Sequence, residues 1–318
     1  MVPIKPILVI YNPIAGRGRV LEYWYRVAKE LHQAGVVFEA AATKAPSDAA
    51  RLAEAATNNY SAIVGVGGDG TIHEIVNGLM RASNEGETIP LGVIPLGNGD
   101  DFAKIIPPET KIGAKQFDWC EAVKKIAGGN TRLFDVGKIQ GGRLQPQMIA
   151  GPQYFMNGMD IGFGAQTTYN LKHIPGFITG LSAYLTAVIK TLIDYKIPKL
   201  RLAMDDHPPF EQEATLTAIM NGRSFGSGFW VCPESSADDG LFDILVSEAV
   251  NRLTIMRLVP SLMKGEHLHE PVLKIYRAGR IIIESSEPLM VEVDGEIPYA
   301  EAKKLQIELL PKRLKVFV

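Results

Sequence analysis

The chain has 318 residues, 46% of them hydrophobic and 21% charged, with a formal net charge of -2. This length fits two domains, and the composition excludes a disordered chain. Because the net charge is near zero, it provides no overall attraction to nucleic acid, and no such partner is expected. The two cysteines, Cys120 and Cys232, lie far apart without metal-like spacing, which favours a cytoplasmic protein.

No segment has the pattern expected of a membrane span or a signal peptide. The N-terminal apolar run is short and lacks a cleavage site. The most hydrophobic segment, 174–189, contains Gly, Ser and Thr and is shorter than the ~20 residues that a spanning helix needs. It predicts a buried or interfacial helix.

The first third of the chain alternates short apolar runs with helical patterns. The runs predict strands at 7–11, 38–43, 62–66 and 91–94. The patterns between and after them predict helices at 18–34, 47–58, 71–82 and 117–127. Continuous apolar strands separated by helices indicate a parallel sheet that is covered on both faces. The sequence therefore predicts an α/β domain over residues 1–134.

From about residue 135 the pattern becomes rich in strands, with one helical stretch at about 175–195. This predicts a second, β-rich domain over residues 135–304. The pattern does not decide where the terminal strand, about 305–318, belongs; packing back on the first domain is one of its possible positions.

A glycine-rich turn follows the strand at 62–66. Gly67 and Gly68 end the strand, and Thr71 begins a helix. Glycines allow backbone N–H groups to approach an oxyanion, and the helix N-terminus adds positive dipole character, so the turn suits a polyphosphate. Asp69 would repel a naked phosphate, which predicts a nearby cation such as Mg²⁺. The alternative is a tight turn in which Asp69 only caps the helix.

Two more glycine-rich turns follow other predicted strands, at "YNPIAGRGR" (11–19) and "PLGNGDDFAK" (95–104). Turns after parallel strands emerge at the carboxyl edge of the sheet, where ligands bind. The chain contains neither G-x-x-x-x-G-K-[ST] nor G-x-G-x-x-G after its first strand, so a Walker A loop and a standard dinucleotide fingerprint are both absent.

These motifs and three later ones, "FMNGMDIGFGA", "CPESSADDGLFDILV" and "VEVDGE", resemble those of the diacylglycerol kinase catalytic domain family. That family includes sphingosine and ceramide kinases and bacterial soluble lipid kinases. The resemblance covers essentially the whole chain. It implies an N-terminal α/β domain similar to NAD kinase and phosphofructokinase, joined to a C-terminal β-sandwich-like domain.

The resemblance also implies a function. The protein would be an Mg²⁺-dependent, ATP-using kinase that phosphorylates a hydroxyl of a lipid such as diacylglycerol. It would be cytoplasmic and would visit the membrane surface peripherally and transiently. A homodimer is left open, as are the identity of the lipid and the choice between ATP and GTP. An NAD kinase-like phosphotransferase and a non-catalytic nucleotide or lipid sensor are the alternatives.

The resemblance assigns roles to individual residues. The nucleotide contacts it implies are Asn12, Thr43, Gly68, Asp69, Gly70, Thr71, Glu74, Asn98 and Asp101. Asp294 is the implied general base, with Glu296 as its partner or alternative, and Asp69 is also catalytic. Asp239 would bind a structural cation with its carboxylate, together with backbone carbonyls of Ser236 and Leu241. Asp69, Asp101 and Asp239 would then belong to a water-bridged Mg²⁺ network.

Two departures from the family pattern and one stretch with two histidines have their own interpretations. The family usually has Asn where this chain has Asp100, and Thr or Ser where it has Asn98. An additional acid beside Asp101 either raises a pKa by like-charge repulsion or adds a metal ligand. The "GEHLHE" stretch, with His267 and His269, predicts an exposed loop rather than a metal site.

Overall fold

The computed structural model describes residues 5–107, 118–175, 178, 180–205, 207–226 and 228–318. Four strands form the N-terminal part of the sheet: β1 (Ile7–Tyr11), β2 (Phe38–Ala42), β3 (Ala62–Gly67) and β4 (Leu91–Pro95). They are parallel, in the order β4-β3-β1-β2. The helices of this part are α1 (Arg19–Gln33), α2 (Asp48–Ala56), α3 (Asp69–Ala82), α4 (Asp101–Ile105) and α5 (Trp119–Gly128).

The central strand and the helix that follows it show why this part folds as predicted. Every residue of β3 is buried. α3 buries the apolar face expected from its spacing, formed by Ile72, Ile75, Val76, Leu79 and Met80. Because a strand buried on both faces needs covering layers on both sides, the continuous apolar runs indicated this architecture correctly.

The rest of the chain is rich in antiparallel strands. These are β5 (Thr131–Gln140), β6 (Gln153–Phe155), β7 (Gly158–Gly162), β8 (Lys199–Met204), β9 (His207–Met220), β10 (Phe242–Glu248), β11 (Leu273–Ala278), β12 (Arg280–Val293) and β13 (Glu296–Phe317). Helices α6 (Phe163–Lys172), α7 (Gly180–Asp194) and α8 (Arg252–Lys264) accompany them. The main strand order here is β11-β10-β9-β7-β12-β13, with β8 pairing β9 and β12.

The last strand joins the two parts. The first half of β13 pairs with β12, and its second half pairs with β5. Near its end, Val316 lies parallel to Leu91 of β4. The terminal strand therefore returns to the N-terminal part of the sheet, which the sequence pattern left undecided.

Some elements differ from the expectations. Helices α4, α6 and α8 were not predicted, and within the 174–189 segment α7 begins only at Gly180. Residues 176, 177 and 179 of that segment lie outside the described residues. In the part of the chain that the structure describes, no helix is both long and apolar enough to cross a bilayer. The exposed-loop prediction was wrong for His267, which is buried and donates from Nε2 to the Val231 carbonyl at 2.9 Å, whereas His269 is exposed.

Candidate active site

The turns after β1, β3 and β4 meet at the carboxyl edge of the parallel strands. Asn12, after β1, donates from Nδ2 to the Thr71 hydroxyl at 3.3 Å. Arg19, at the start of α1, donates from Nη1 to the Gly97 carbonyl at 3.0 Å. The first turn is thus bonded to both others, as the parallel arrangement predicted.

Two glycines allow the second and third turns to touch. A Cβ atom on Gly97 would lie 2.4 Å from the Gly68 Cα, and one on Gly68 would lie 3.0 Å from the Gly97 Cα. Gly70 is different, because its nearest neighbour would be the Glu296 Oε1 atom at 3.6 Å. The close approach of the two turns requires Gly68 and Gly97, whereas Gly70 leaves its backbone open toward a cleft.

That cleft has a volume of about 570 Å³, which is in the range of small-molecule sites. Seven of the predicted site residues line it: Asn12, Thr43, Gly68, Gly70, Thr71, Glu74 and Glu296. Residues from the second half of the chain, including Gln147 and Met148, form another part of its wall. The cleft therefore lies between the glycine turns and the β-rich part.

Glu74 lines the cleft, but its carboxylate is already bonded. Oε1 accepts from the backbone N–H of Ser47 at 2.8 Å, and Oε2 accepts from that of Ala49 at 3.1 Å. These are donors at the start of α2, which attract a negative charge. Burial raises the pKa of Glu74, and these two hydrogen bonds oppose that rise without cancelling it. Its observed contacts hold α2 against the cleft.

Acidic side chains gather where α3 and α4 begin. Asp69 is partly buried and accepts from the Phe102 N–H at 3.2 Å, and Asp100 and Asp101 are buried beside it. Burial, followed by the charge of Asp101, raises the pKa of Asp69 to about 7. Burial also raises the pKa of Asp100 to about 6. Lys104 Nζ lies 2.6 Å from Asp101 Oδ1 and supplies one positive charge.

The turn after β12 presents two carboxylates in different environments. Asp294 is buried with a φ of 47°, a conformation that Asp adopts more readily than most residues. Its Oδ1 accepts from the N–H groups of Asn157 at 3.0 Å and Gly158 at 3.1 Å. Its Oδ2 accepts from the Met156 N–H at 2.9 Å and lies 3.3 Å from His73 Nδ1. All four lone-pair positions therefore have partners.

Glu296, two residues later, points into the cleft. Its side chain is 41% exposed, and Oε2 lies 2.6 Å from Lys172 Nζ at the end of α6. Only Glu296 of the two carboxylates in this turn is open to a bound molecule.

His73 was not predicted as a site residue. It is buried on α3, one turn after Asp69, and contacts Asp294. Asn77, one turn further, donates to the Tyr154 carbonyl at 2.9 Å and accepts from the Tyr154 N–H at 3.0 Å. The sequence signal was the polar pair at i, i+4 on an otherwise apolar helix.

The remaining predicted residues lie outside the cleft lining. Asn98 is exposed at the tip of the turn after β4. Asp239 is paired with Arg277, and its Oδ1 accepts from the Leu241 N–H at 3.1 Å. Ser236 donates from Oγ to Asp238 at 2.8 Å. Asp135 holds this loop by accepting from the Gly240 N–H at 2.7 Å. The structure brings Asp69, Asp101 and Asp294 together, whereas Asp239 lies on this separate turn.

Glycine turns at the carboxyl edge of a parallel sheet, an acidic cluster beside them and a β-rich part closing the cleft define an α/β part joined to a β-rich part, with an NAD kinase-like fold. A yeast NADH kinase structure has the same fold, with a TM-score of 0.50 over 99% of this chain and 83% of that chain, at 12% identity.

Comparison with family models identifies the family to which the chain belongs. Residues 6–139 match the model described as diacylglycerol kinase catalytic domain, and residues 157–318 match the model described as YegS C-terminal NAD kinase beta sandwich-like domain. The chain belongs to the diacylglycerol kinase catalytic domain family, as its motifs indicated, and the predicted fold class is confirmed.

Individual relatives agree with this assignment. The chain is 29% identical to a diacylglycerol kinase of Bacillus subtilis (strain 168), over 92% of this chain and 90% of the relative. It is 27% identical to a diacylglycerol kinase of Staphylococcus saprophyticus over 91% of this chain and 88% of the relative. A crystal structure from Bacillus anthracis str. Sterne, provisionally described as a diacylglycerol kinase, has a TM-score of 0.76 at 25% identity, covering 100% of this chain and 98% of that chain.

Proposed function

We propose that this protein transfers the γ-phosphoryl group of ATP to a hydroxyl of a lipid such as diacylglycerol, with Mg²⁺. The observation that carries the proposal is the cleft in which the open Glu296 carboxylate lies beside Gly70, the residue after Asp69. An acceptor hydroxyl could there meet a carboxylate and a phosphate-binding turn together. The kinase-family membership supports ATP as the donor.

ATP would occupy the glycine turns. Gly68, Gly70 and Thr71 form the start of α3, where N–H groups and the helix dipole favour phosphate oxygens. Asn12 and Thr43 line the same wall, and Asn98 and Asp101 follow on the neighbouring turn.

The acidic cluster fits a divalent cation, because burial and mutual repulsion raise the pKa of Asp69 and a cation would relieve both effects. Among the described residues, no three His, Cys, Asp or Glu side chains form a ready metal cage. This agrees with Mg²⁺, which commonly uses one or two carboxylates together with waters and substrate phosphates. Asp69 and Asp101 would hold the ion, whose charge would offset that of the phosphates.

We assign the general base to Glu296 rather than Asp294. A base must have a free lone pair within hydrogen-bonding distance of the hydroxyl. The oxygens of Asp294 are occupied by three backbone donors and by His73, so Asp294 fixes the turn. Glu296 is open to the cleft, and Lys172, with Nζ 2.6 Å from Oε2, orients its carboxylate. Phosphoryl transfer then depends mainly on positioning and on neutralised charge.

The loop of Ser236, Asp239 and Leu241 remains the proposed place for a structural cation. Asp239 has a carboxylate on that loop, and the carbonyls of Ser236 and Leu241 are of the oxygen type that hard cations accept. Such an ion would compete with Arg277, which pairs with Asp239 in the structure.

Two helices of the β-rich part suit a peripheral, transient contact with a bilayer, in keeping with a cytoplasmic location. Their exposed apolar side chains are Leu185, Ile189 and Ile193 on α7, and Leu253, Met256 and Met263 on α8. Arg252 ties the two helices together by donating to the Ile193 carbonyl at 2.9 Å. Lys190 and Lys264 are exposed on the same helices and would favour anionic lipids.

The test is a panel of acceptors with purified protein, Mg²⁺ and labelled ATP. Vesicles would contain diacylglycerol, phosphatidylglycerol or a sphingoid base, NAD would be the soluble acceptor, and products would be identified by mass. We expect a phosphorylated lipid, and a loss of about 10²–10⁴-fold in kcat for Glu296→Gln, the usual range for a lost general base. Glu301→Gln, an exposed glutamate of the same strand, is the matched control.

Other outcomes would contradict the proposal. Phosphorylation of NAD without any lipid product would indicate an NAD kinase-like enzyme. Folded protein that binds ATP and labels no acceptor would indicate a sensor.

A further inference from the structure

Behind the turn that carries Glu296 lies a second pair of acids. Asp160 of β7 is directly opposite Glu292 of β12 in the antiparallel register. Directly opposed residues of antiparallel strands have their side chains on the same face of the sheet, and these two residues are 0% and 2% exposed. Two buried carboxyl groups can share a hydrogen bond only if one of them carries a proton.

The bonding of the four oxygens agrees with one shared proton. Asp160 Oδ1 accepts from the Ala165 N–H, and Glu292 Oε1 accepts from the Gly295 N–H. The other two oxygens, Asp160 Oδ2 and Glu292 Oε2, are buried without a donor. A proton held between the two carboxyls would satisfy both of these oxygens, and burying them unsatisfied would be costly.

The backbone partners of the pair lie in the two elements that carry the Lys172–Glu296 ion pair. Gly295 directly precedes Glu296, and Ala165 is in the first turn of α6, the helix that ends at Lys172. A Cβ atom on Gly164 would lie 2.7 Å from Asp160 Oδ1 and from Oδ2, so the chain leaves room for this carboxylate at the helix start.

We propose that Asp160 and Glu292 form a singly protonated positioning pair that locks the turn of Glu296 to α6 and so holds the cleft carboxylate against Lys172. Neither residue lines the cleft, and neither is a catalytic group. Loss of the shared proton would place two negative charges together and push the turn and the helix apart. The inference rests on the proposed function for its effect on turnover only, since the shared proton itself does not depend on the reaction.

The surroundings keep the proton in place at neutral pH. Burial raises the pKa of Asp160 to about 7, and burial together with the charge of Asp160 raises the pKa of Glu292 well above its ordinary value. Asp160 faces Ala218 across β9 and the phenols of Tyr184 and Tyr195 near α7. The charge of Asp294 also raises the pKa of Glu292. Each of these named groups is neutral or negative.

Amide variants test the pair, because an amide N–H can replace the shared proton at every pH. In wild type, kcat for lipid phosphorylation should fall about ten-fold per pH unit once the pair loses its proton, as for any group required in its acid form. In Glu292→Gln that alkaline fall should disappear, with kcat at pH 7 within about three-fold of wild type. Asp160→Asn is the second variant and should behave in the same way. Glu292→Ala should lose kcat at all pH values without a change in the KM for ATP.

A spectroscopic measurement separates this inference from the proposed function. Infrared difference spectra should show a protonated buried carboxyl in wild type that is absent from Glu292→Gln. An alkaline limb that is unchanged in both amide variants, or wild-type spectra without that carboxyl band, would overturn the positioning pair. Absence of any phosphorylated product in wild type would instead count against the lipid kinase, while the infrared result would still report on the pair.

Discussion

Asp69 and Asp294 lie close in the chain to residues that line the same cleft, Gly70 and Glu296, yet their carboxylates have opposite environments. Asp294 accepts three backbone hydrogen bonds and contacts His73. Asp69 accepts one, from Phe102, and its neighbours include Asp100 and Asp101. The first charge is satisfied within the fold, whereas the second is left under-satisfied, with its pKa raised to about 7.

The difference shows how to separate structural from functional acids in a cleft. A carboxylate that the fold has saturated with donors is a part of the framework. One that is desolvated among like charges costs stability and is typical of a site that awaits a partner. On this criterion Asp69 has the environment expected of a functional acid, whereas Asp294 has that of a framework residue.

The largest effect should follow from Asp294→Asn. The new amide nitrogen would face backbone N–H donors, and the substitution should lower the free energy of unfolding by roughly 3–5 kcal/mol, the cost of breaking a buried, fully bonded charge. Chemical denaturation measures this. Asp194→Asn, at the exposed end of α7, should change stability by less than about 0.5 kcal/mol. Equal stability of Asp294→Asn and wild type would remove the distinction between the two regions.

Asp69→Asn should give the opposite result. Removing an under-satisfied charge should leave the free energy of unfolding unchanged or slightly higher, while turnover falls by about 10²–10³-fold because the cation site is lost. Denaturation and the lipid phosphorylation assay on the same preparation measure both quantities. If Asp69→Asn unfolds as readily as Asp294→Asn, Asp69 is a structural residue.

A smaller effect is expected for Asp100→Asn, measured without Mg²⁺. The folded-state pKa of Asp100 is raised to about 6, above the unfolded value near 4, so wild type binds more protons when folded and loses stability as pH rises from about 4 through about 6. The asparagine variant does not titrate there, and its Oδ1 can still accept from Gly97. It should therefore match wild type near pH 4 and exceed it by about 2–3 kcal/mol at pH 8. A stability difference that does not vary with pH would contradict the assigned burial of this carboxyl.

Much of the N-terminal part could be predicted because its signals are local. The apolar runs give the strands, and the spacing of Ile72, Ile75 and Val76 gives the buried face of α3. Glycine turns after parallel strands must emerge at one edge, so their meeting followed from topology. The motifs also placed the chain in its family, with the fold class that the structure has.

The helices that the pattern missed have weaker signals. α8 contains Pro260, and α6 begins directly after β7 without a loop. His267 shows the same limit, because its partner Val231 is 36 residues away and no local pattern reports it.

By itself, the sequence determined the alternation of strands and helices in the N-terminal part, the glycine-rich turns and the set of acids near them, because these depend on periodicity and on residues close together in the chain. The tertiary structure decided which acid is open to the cleft. Asp294, Glu296 and Glu292 lie within five residues of one another, but their partners come from α3, α6 and β7. Since the pKa and bonding of a carboxylate depend on what surrounds it, similar neighbours in sequence acquired different roles only after folding.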